Sequence, residues 1–186
     1  MKPHLAFAHN LWRSLILPGD LAIDATVGNG HDSVFLCELG AEVIGLDIQR
    51  EALEKTRERM RDKPIQLLLK SHAEIASLEL KGKAKLIVYN LGYLPGGNKE
   101  ITTKLESTMA SVEGALGLLA RNGALSITCY PGHDEGLREE SSLVKWASTL
   151  NPMQWSVCHY RWLNRVRAPS LLWIFSLAPS DKNSRR

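Results

Sequence analysis

The sequence predicts an α/β protein built on a seven-stranded, mainly parallel sheet with an antiparallel last strand and helices on both faces. Three observations carry that expectation. Short apolar runs bounded by turn residues alternate with segments of helical spacing through most of the chain. Two early runs each end in an acid, at Asp24 and Asp47, and the first passes at once into Val27-Gly28-Asn29-Gly30. The last two runs are joined only by Asn164–Pro169, too short for a crossover helix, so they should pair antiparallel at one end of the sheet.

Taken in order, the first segment, 4–16, has Leu5, Trp12, Leu15 and Ile16 at roughly helical spacing and reads as a leading amphipathic helix. Its His4, His9 and Arg13, with Pro18 behind them, argue against a secretory signal. Strands are expected near 21–26, 42–47, 65–70, 85–90, 123–130, 154–162 and 170–178, and further helices near 31–39, 50–61, 101–120 and 136–149. Asn122-Gly123 is expected to close the long fourth helix, because a residue at a helix end is often forced into the left-handed region.

At 186 residues the chain fits one domain, taken as 1–178, with the polar, basic stretch 179–186 expected to be frayed. No apolar run approaches the ~20 residues that span a bilayer, and a cytoplasmic location is expected. Cys37, Cys129 and Cys158 are odd in number and widely spaced, which reads as buried thiols in a reducing compartment. No His/Cys/Asp/Glu grouping has metal-ligand spacing, so no metal is expected. The net charge of +3 permits a nucleic-acid partner without requiring one. Arg57, Arg59, Arg61 and Lys63 read best as the solvated face of a helix, whereas Arg161, Arg165 and Arg167, interleaved with Tyr160, Trp162 and Asn164, suit RNA contact.

The acid-terminated strands form a nucleoside-site pattern, since Gly28 and Asp47 stand close to the ~20-residue interval between a glycine loop and a ribose-binding carboxylate. A dinucleotide fingerprint would place Gly or Ala where this chain has Ser33, and Asp24 suits a cationic amino-acid moiety better than a pyrophosphate. S-adenosylmethionine carries an ammonium and a sulfonium and no phosphate, so it fits better. The parallel crossings with a reversed final strand are then the Rossmann-like plan of class I methyltransferases, whose ligand lies at the carboxyl ends of the strands. The cofactor residues expected are Asp24, Thr26, Gly28, Asn29, Gly30, His31, Asp32, Asp47, Gln49, His72 and Asn90. His31 and Asp32 open a helix whose free N–H groups favour the ligand's carboxylate, and His72 follows the third strand, where this fold commonly meets adenine.

The fourth strand runs into Asn90-Leu91-Gly92-Tyr93-Leu94-Pro95-Gly96-Gly97, beside the transferable methyl group in this fold. It resembles the Asn-Pro-Pro-Tyr turn of amino-group methyltransferases, with Leu91 and Gly92 in place of the prolines. A nitrogen that attacks a methyl group develops positive charge, so acceptors such as the Asn90 oxygen and the Leu91 carbonyl have a role. Asn90, Tyr93 and His133 are the candidate catalytic residues. His133 lies in Tyr130-Pro131-Gly132-His133 and could take a proton, cap the next helix or touch substrate. Substrate contact is expected from Tyr93, Gly96, Gly97, Tyr130, His133, Arg161, Asn164, Arg165 and Arg167.

With Ala8-His9, Asp24 through Asp32, Asn90 through Gly97 and Tyr130 through His133 in view, the chain resembles a bacterial family long labelled rRNA methylases. That family includes the tRNA 5-aminomethyl-2-thiouridine methyltransferases of the MnmM type. The resemblance covers nearly the whole chain. It implies S-adenosylmethionine-dependent methylation of the exocyclic aminomethyl nitrogen on a tRNA wobble uridine, and favours a homodimer. The family's Asn followed by two prolines is here Asn164-Arg165-Val166-Arg167-Ala168-Pro169, with one proline replaced by Ala168. Competing readings are an rRNA or small-amine methyltransferase of the same fold, and a nucleotide-binding module without catalysis.

Overall fold

The computed structural model describes residues 2–61, 63–80, 82–92 and 103–177. Its elements are α1 (Pro3–Leu15), β1 (Leu21–Asp24), α2 (His31–Glu38), β2 (Glu42–Asp47), α3 (Arg50–Met60), β3 (Ile65–Leu69), a 3₁₀ segment (His72–Ser77), β4 (Ala84–Asn90), α4 (Leu105–Leu116), β5 (Leu119–Cys129), α5 (Asp134–Ala147), β6 (Trp155–Tyr160) and β7 (Ser170–Ser176). The strands form one sheet in the order β3-β2-β1-β4-β5-β7-β6. β3, β2, β1, β4 and β5 pair in parallel, and β7 lies antiparallel between β5 and β6. The expected fold class holds, and only the last strand runs against the rest.

Alternation along the strands sorts the core into two faces. Ile23, Ile87, Tyr89, Leu125, Ile127, Leu172 and Ile174 pack on one face with Val112 and Ala115 of α4 and Leu143 and Ala147 of α5. Ala22, Val43, Leu86, Val88, Ala124 and Leu171 pack on the other with Ala8, Trp12 and Ile16 of α1 and Leu36 of α2. The Trp12 indole N–H donates to the Ser126 hydroxyl at 2.9 Å, which fixes α1 against β5. By the same alternation Asp24 and Asn90, last residues of β1 and β4, belong to the α1/α2 face.

Three expectations are corrected. The fourth helix ends at Leu116, and Asn122-Gly123 lies inside β5, where its pairing with β4 slips between Ala84↔Leu119 and Leu86↔Ala124. Asn122 does take a positive φ of 55°, so the left-handed signal was real but marks an irregularity in a strand. Gly123 is required there, since a Cβ would lie 2.9–3.1 Å from the carbonyl oxygens of Ala120, Lys85 and Ala84. The 3₁₀ segment after β3 was not foreseen, although Ser71-His72-Ala73-Glu74 is a capping-box signature, and the structure forms that box. The three cysteines are free, but only Cys129 is buried: Cys37 is half-buried and Cys158 exposed. Tyr93, Gly96, Gly97 and the tail 179–186 lie outside the described residues.

Candidate active site

The carboxyl ends of β1, β2, β3, β4 and β5, together with the β6–β7 loop, converge on one cleft of about 1180 Å³. Thr26, Gly28, Asn29, His31, Asp32, Asp47, Gln49, His72, Asn90, Tyr130, His133 and Arg167 line it, twelve positions anticipated from the sequence. Lys2, Thr103, Lys104, Ser107 and Glu135 line it as well and were not anticipated.

The glycine loop is held from two sides, α3 and β2. Gly28 and Gly30 have φ of 52° and 75°, which a side chain would resist. A Cβ on Gly30 would also meet the Thr56 Oγ1 at 2.6 Å. From α3, the Thr56 hydroxyl donates to the Gly28 carbonyl at 3.1 Å and the Arg59 Nε to the Asn29 carbonyl at 2.8 Å. From β2, the Asp47 carboxylate accepts the Gly28 N–H at 2.9 Å and the Gln49 N–H at 2.8 Å, one on each oxygen. Each Asp47 oxygen keeps a further lone pair, which is what a vicinal diol in the cleft requires. Thr56 and Arg59 lay in a stretch that reads only as an ordinary solvated helix, so no local signal marked them.

Asp24 sits otherwise than expected. Its carboxylate is 1% exposed, beneath the loop and not among the lining residues. It accepts the Ser33 hydroxyl at 2.6 Å and the Thr26 N–H at 3.3 Å. Burial, with the charge of Asp32 beside it, raises its pKa to about 7. Ser33, the residue that spoiled a dinucleotide fingerprint, is thus the partner that a buried acid needs. Asp24 braces the loop, and the carboxylates that border the cleft are Asp32, Asp47 and Glu135.

At β4 the Asn90 N–H donates to the Thr26 hydroxyl at 2.7 Å, which ties the glycine loop to the turn that follows β4. The Asn90 side-chain Nδ2 donates to Asp32 at 3.2 Å, and the other Asp32 oxygen lies 2.8 Å from the Nε2 of His9 on α1. The Tyr130 hydroxyl stands 3.4 Å from the His4 Nε2. Burial and then the Asp32 charge push the Tyr130 phenol up to about 12, and the nearby Asn90 amide opposes them. Thr103 pins the residues flanking the undescribed stretch: its hydroxyl accepts the Gly92 N–H at 2.9 Å and donates to the buried Glu139 at 3.1 Å.

His133 is the N-cap of α5, and its Nδ1 accepts the Gly136 N–H at 3.1 Å. That bond occupies the Nδ1 lone pair and leaves Nε2 as the ring's other polar atom. His72 sits at the far side of the cleft with Nε2 buried and without a hydrogen-bond partner, and burial lowers its pKa. Arg161, Asn164 and Arg165 are exposed on the β6–β7 loop at the same end of the sheet, but only Arg167 and Pro169 of that loop line the cleft.

A family profile described as Putative rRNA methylase matches residues 43–176. The chain belongs to that family. It is 32% identical over 184 residues to the chloroplastic tRNA (mnm(5)s(2)U34)-methyltransferase of Arabidopsis thaliana, an alignment that spans 90% of this chain and 67% of the relative. A putative rRNA-methylase from Clostridium thermocellum superposes with a TM-score of 0.89 at 28% identity, covering 95% of this chain and 99% of that one. A putative methyltransferase from Streptococcus mutans, solved in complex with SAH, superposes with a TM-score of 0.86 at 31% identity over the same shares. His9, Asp24, Gly28, Gly30 and Asp32 all precede the part matched by the family profile.

Proposed function

We propose that this S-adenosylmethionine-dependent methyltransferase acts on tRNA, at the exocyclic aminomethyl nitrogen of the wobble 5-aminomethyl-(2-thio)uridine. The residues at the cleft fit the cofactor: a loop with glycine at positions 28 and 30, the Asp47 carboxylate with lone pairs for ribose hydroxyls, and His72 on the cleft wall after β3, where adenine would lie. When bound, the cofactor supplies a methyl group already activated on a sulfonium, so catalysis is chiefly positioning.

The observation that carries the nitrogen target is the orientation of Asn90. Its Nδ2 donates to Asp32 at 3.2 Å. With Nδ2 turned to Asp32, Oδ1 remains as the acceptor that this cleft-lining amide can offer. It can take a hydrogen bond from an incoming amine, fixing the nitrogen lone pair and stabilising the positive charge that grows as the new bond forms. The 32%-identical Arabidopsis relative, named for a wobble-uridine substrate, supports tRNA as the carrier of that amine. The exposed cations of the β6–β7 loop suit its backbone.

The test is mass spectrometry of nucleosides from tRNA incubated with protein and methyl-labelled cofactor. The aminomethyl uridine should gain one labelled methyl group. Label found only in rRNA or in a small amine would overturn the tRNA target.

A further inference from the structure

We propose that His9 of α1 is a positioning residue for methyl transfer, holding the Asn90 amide in its working orientation through Asp32. The inference rests on the reading of Asn90 as the amine acceptor and deepens it. His9 and Asp32 are buried, 6% and 8% exposed, and their contact at 2.8 Å spans 23 residues of sequence. Asp32 then meets Asn90, 58 residues further on, at 3.2 Å.

The imidazole environment decides which way this chain of bonds runs. The His9 ring stacks on Phe35 at 3.9 Å with an interplanar angle of 11°, and Trp12 lies 4.7 Å away on another side. Its Nδ1 is buried with no hydrogen-bond partner. A buried N–H without an acceptor costs more than a bare lone pair against aromatic rings, so the hydrogen belongs on Nε2, pointing at Asp32. Asp32 therefore receives a hydrogen bond on Oδ1 and has Oδ2 for a second donor. An amide turned by 180° would set its oxygen against that carboxylate, with no hydrogen between them. The arrangement selects Nδ2 toward Asp32 and Oδ1 toward the cleft.

Without His9, Asp32 loses a fixed donor and is freed to rotate or to bind the incoming amine itself, and Asn90 loses its anchor. Cofactor affinity should change little, because the glycine loop is held from α3 and β2. His9→Phe keeps a ring stacked on Phe35 beside Trp12 but removes the donor. His9→Gln returns an N–H near the Nε2 position.

Two readouts decide. In ¹⁵N-labelled protein without substrate, the Asn90 side-chain amide pair, assigned by its loss in Asn90→Ala, should be shifted and protected from exchange. His9→Phe should bring it to ordinary exposed-amide behaviour, and His9→Gln should restore much of the protection. In single-turnover methyl transfer, His9→Phe should lower the rate at least about tenfold, the scale of losing an outer supporting partner, with Kd for the cofactor changed less than about threefold, and His9→Gln should recover most of it. Asn90 amide resonances unaffected by His9→Phe would overturn the positioning role. So would equal losses in the Phe and Gln variants. If instead the resonances respond as stated while Asn90→Ala keeps full activity, it is the amine-acceptor reading that falls.

Discussion

The two halves of the cleft are built differently. Around the glycine loop nearly every polar group that frames the cofactor side is bonded within the protein: Gly28 to Asp47 and Thr56, Thr26 to Asp24 and Asn90, Asp24 to Ser33. The β6–β7 loop across from it instead leaves Trp162, Leu163 and Val166 42%, 102% and 80% exposed beside Arg161 and Arg165. A rigid small cofactor rewards a site bonded in advance, because order supplied during folding need not be lost on binding. A large polyanion is met by long, solvated cations and aromatic faces that acquire partners only in the complex. Substitutions in the first half should therefore act as sharp local losses, and those in the second as graded, salt-dependent ones.

The largest effect should come where the halves meet. Asn90→Ala is expected to lower the single-turnover rate on the order of 10²-fold or more, the usual consequence of losing one preorganised polar group. Near-full activity in a folded Asn90→Ala protein would break the claim that the junction carries the chemistry. Next comes Asp47→Ala, which removes both the diol acceptor and the clamp on Gly28. A loss of roughly 1.5–3 kcal/mol in cofactor binding is expected, the scale of hydrogen bonds to a charged group. Calorimetry showing unchanged affinity would remove Asp47 from the ribose role.

These two residues were legible in the sequence because each ends an apolar run, where chain geometry alone sends it to the ligand edge of a parallel sheet. Gly28 and Gly30 were legible for a similar reason, since few turns need two glycines so close to a strand end. Asp24 was found by the same edge rule, but a strand-end acid can face the ligand or lie beneath the loop, and here it lies beneath, bonded to Ser33 nine residues on. Thr56 and Glu139 were not singled out, and His9 entered only with the Ala8-His9 motif, because they act through contacts 23 to 36 residues apart and nothing local distinguishes a buried working His from a packed one. The β5 irregularity was missed because Asn-Gly demands a positive φ equally well at a helix end or in a bulge.

The second half of the comparison predicts a smaller, graded response. Replacing Arg161, Arg165 and Arg167 together by Gln should weaken tRNA binding and flatten its dependence on salt, by about one unit of slope for each phosphate that is no longer neutralised. Cofactor affinity should move much less. Filter-binding isotherms at several salt concentrations check this, and an unchanged salt slope would take the loop out of the RNA interface. His133→Ala should lower the rate only modestly, through loss of the α5 cap and a donor at the cleft wall, without changing the position of the pH–rate profile, because Nδ1 is engaged with Gly136.

The smallest change in binding is expected at Asp24, and there the informative variable is pH. The folded carboxyl ionises near pH 7, raised by burial and by Asp32, whereas in the unfolded chain it ionises near the ordinary 3.8. Between those values the folded protein holds a proton that the unfolded chain has released. The stability contributed by this group is therefore complete below the unfolded pKa and is lost as pH rises through about 7. Asparagine cannot ionise and escapes that loss, although its amide can accept from only one of the two donors, Ser33 and Thr26, through oxygen. Asp24→Asn should thus be less stable than the parent protein at pH 5 and recover relative to it by pH 8, as read from urea midpoints at the two pH values. Cofactor affinity should stay within about threefold, since a hydrogen-bonding brace is retained and the group lies outside the cleft. A stability difference identical at both pH values would mean that Asp24 is ionised throughout. A large loss of affinity would return it to the cofactor's immediate partners, and the loop would then be less completely bonded in advance than its geometry indicates.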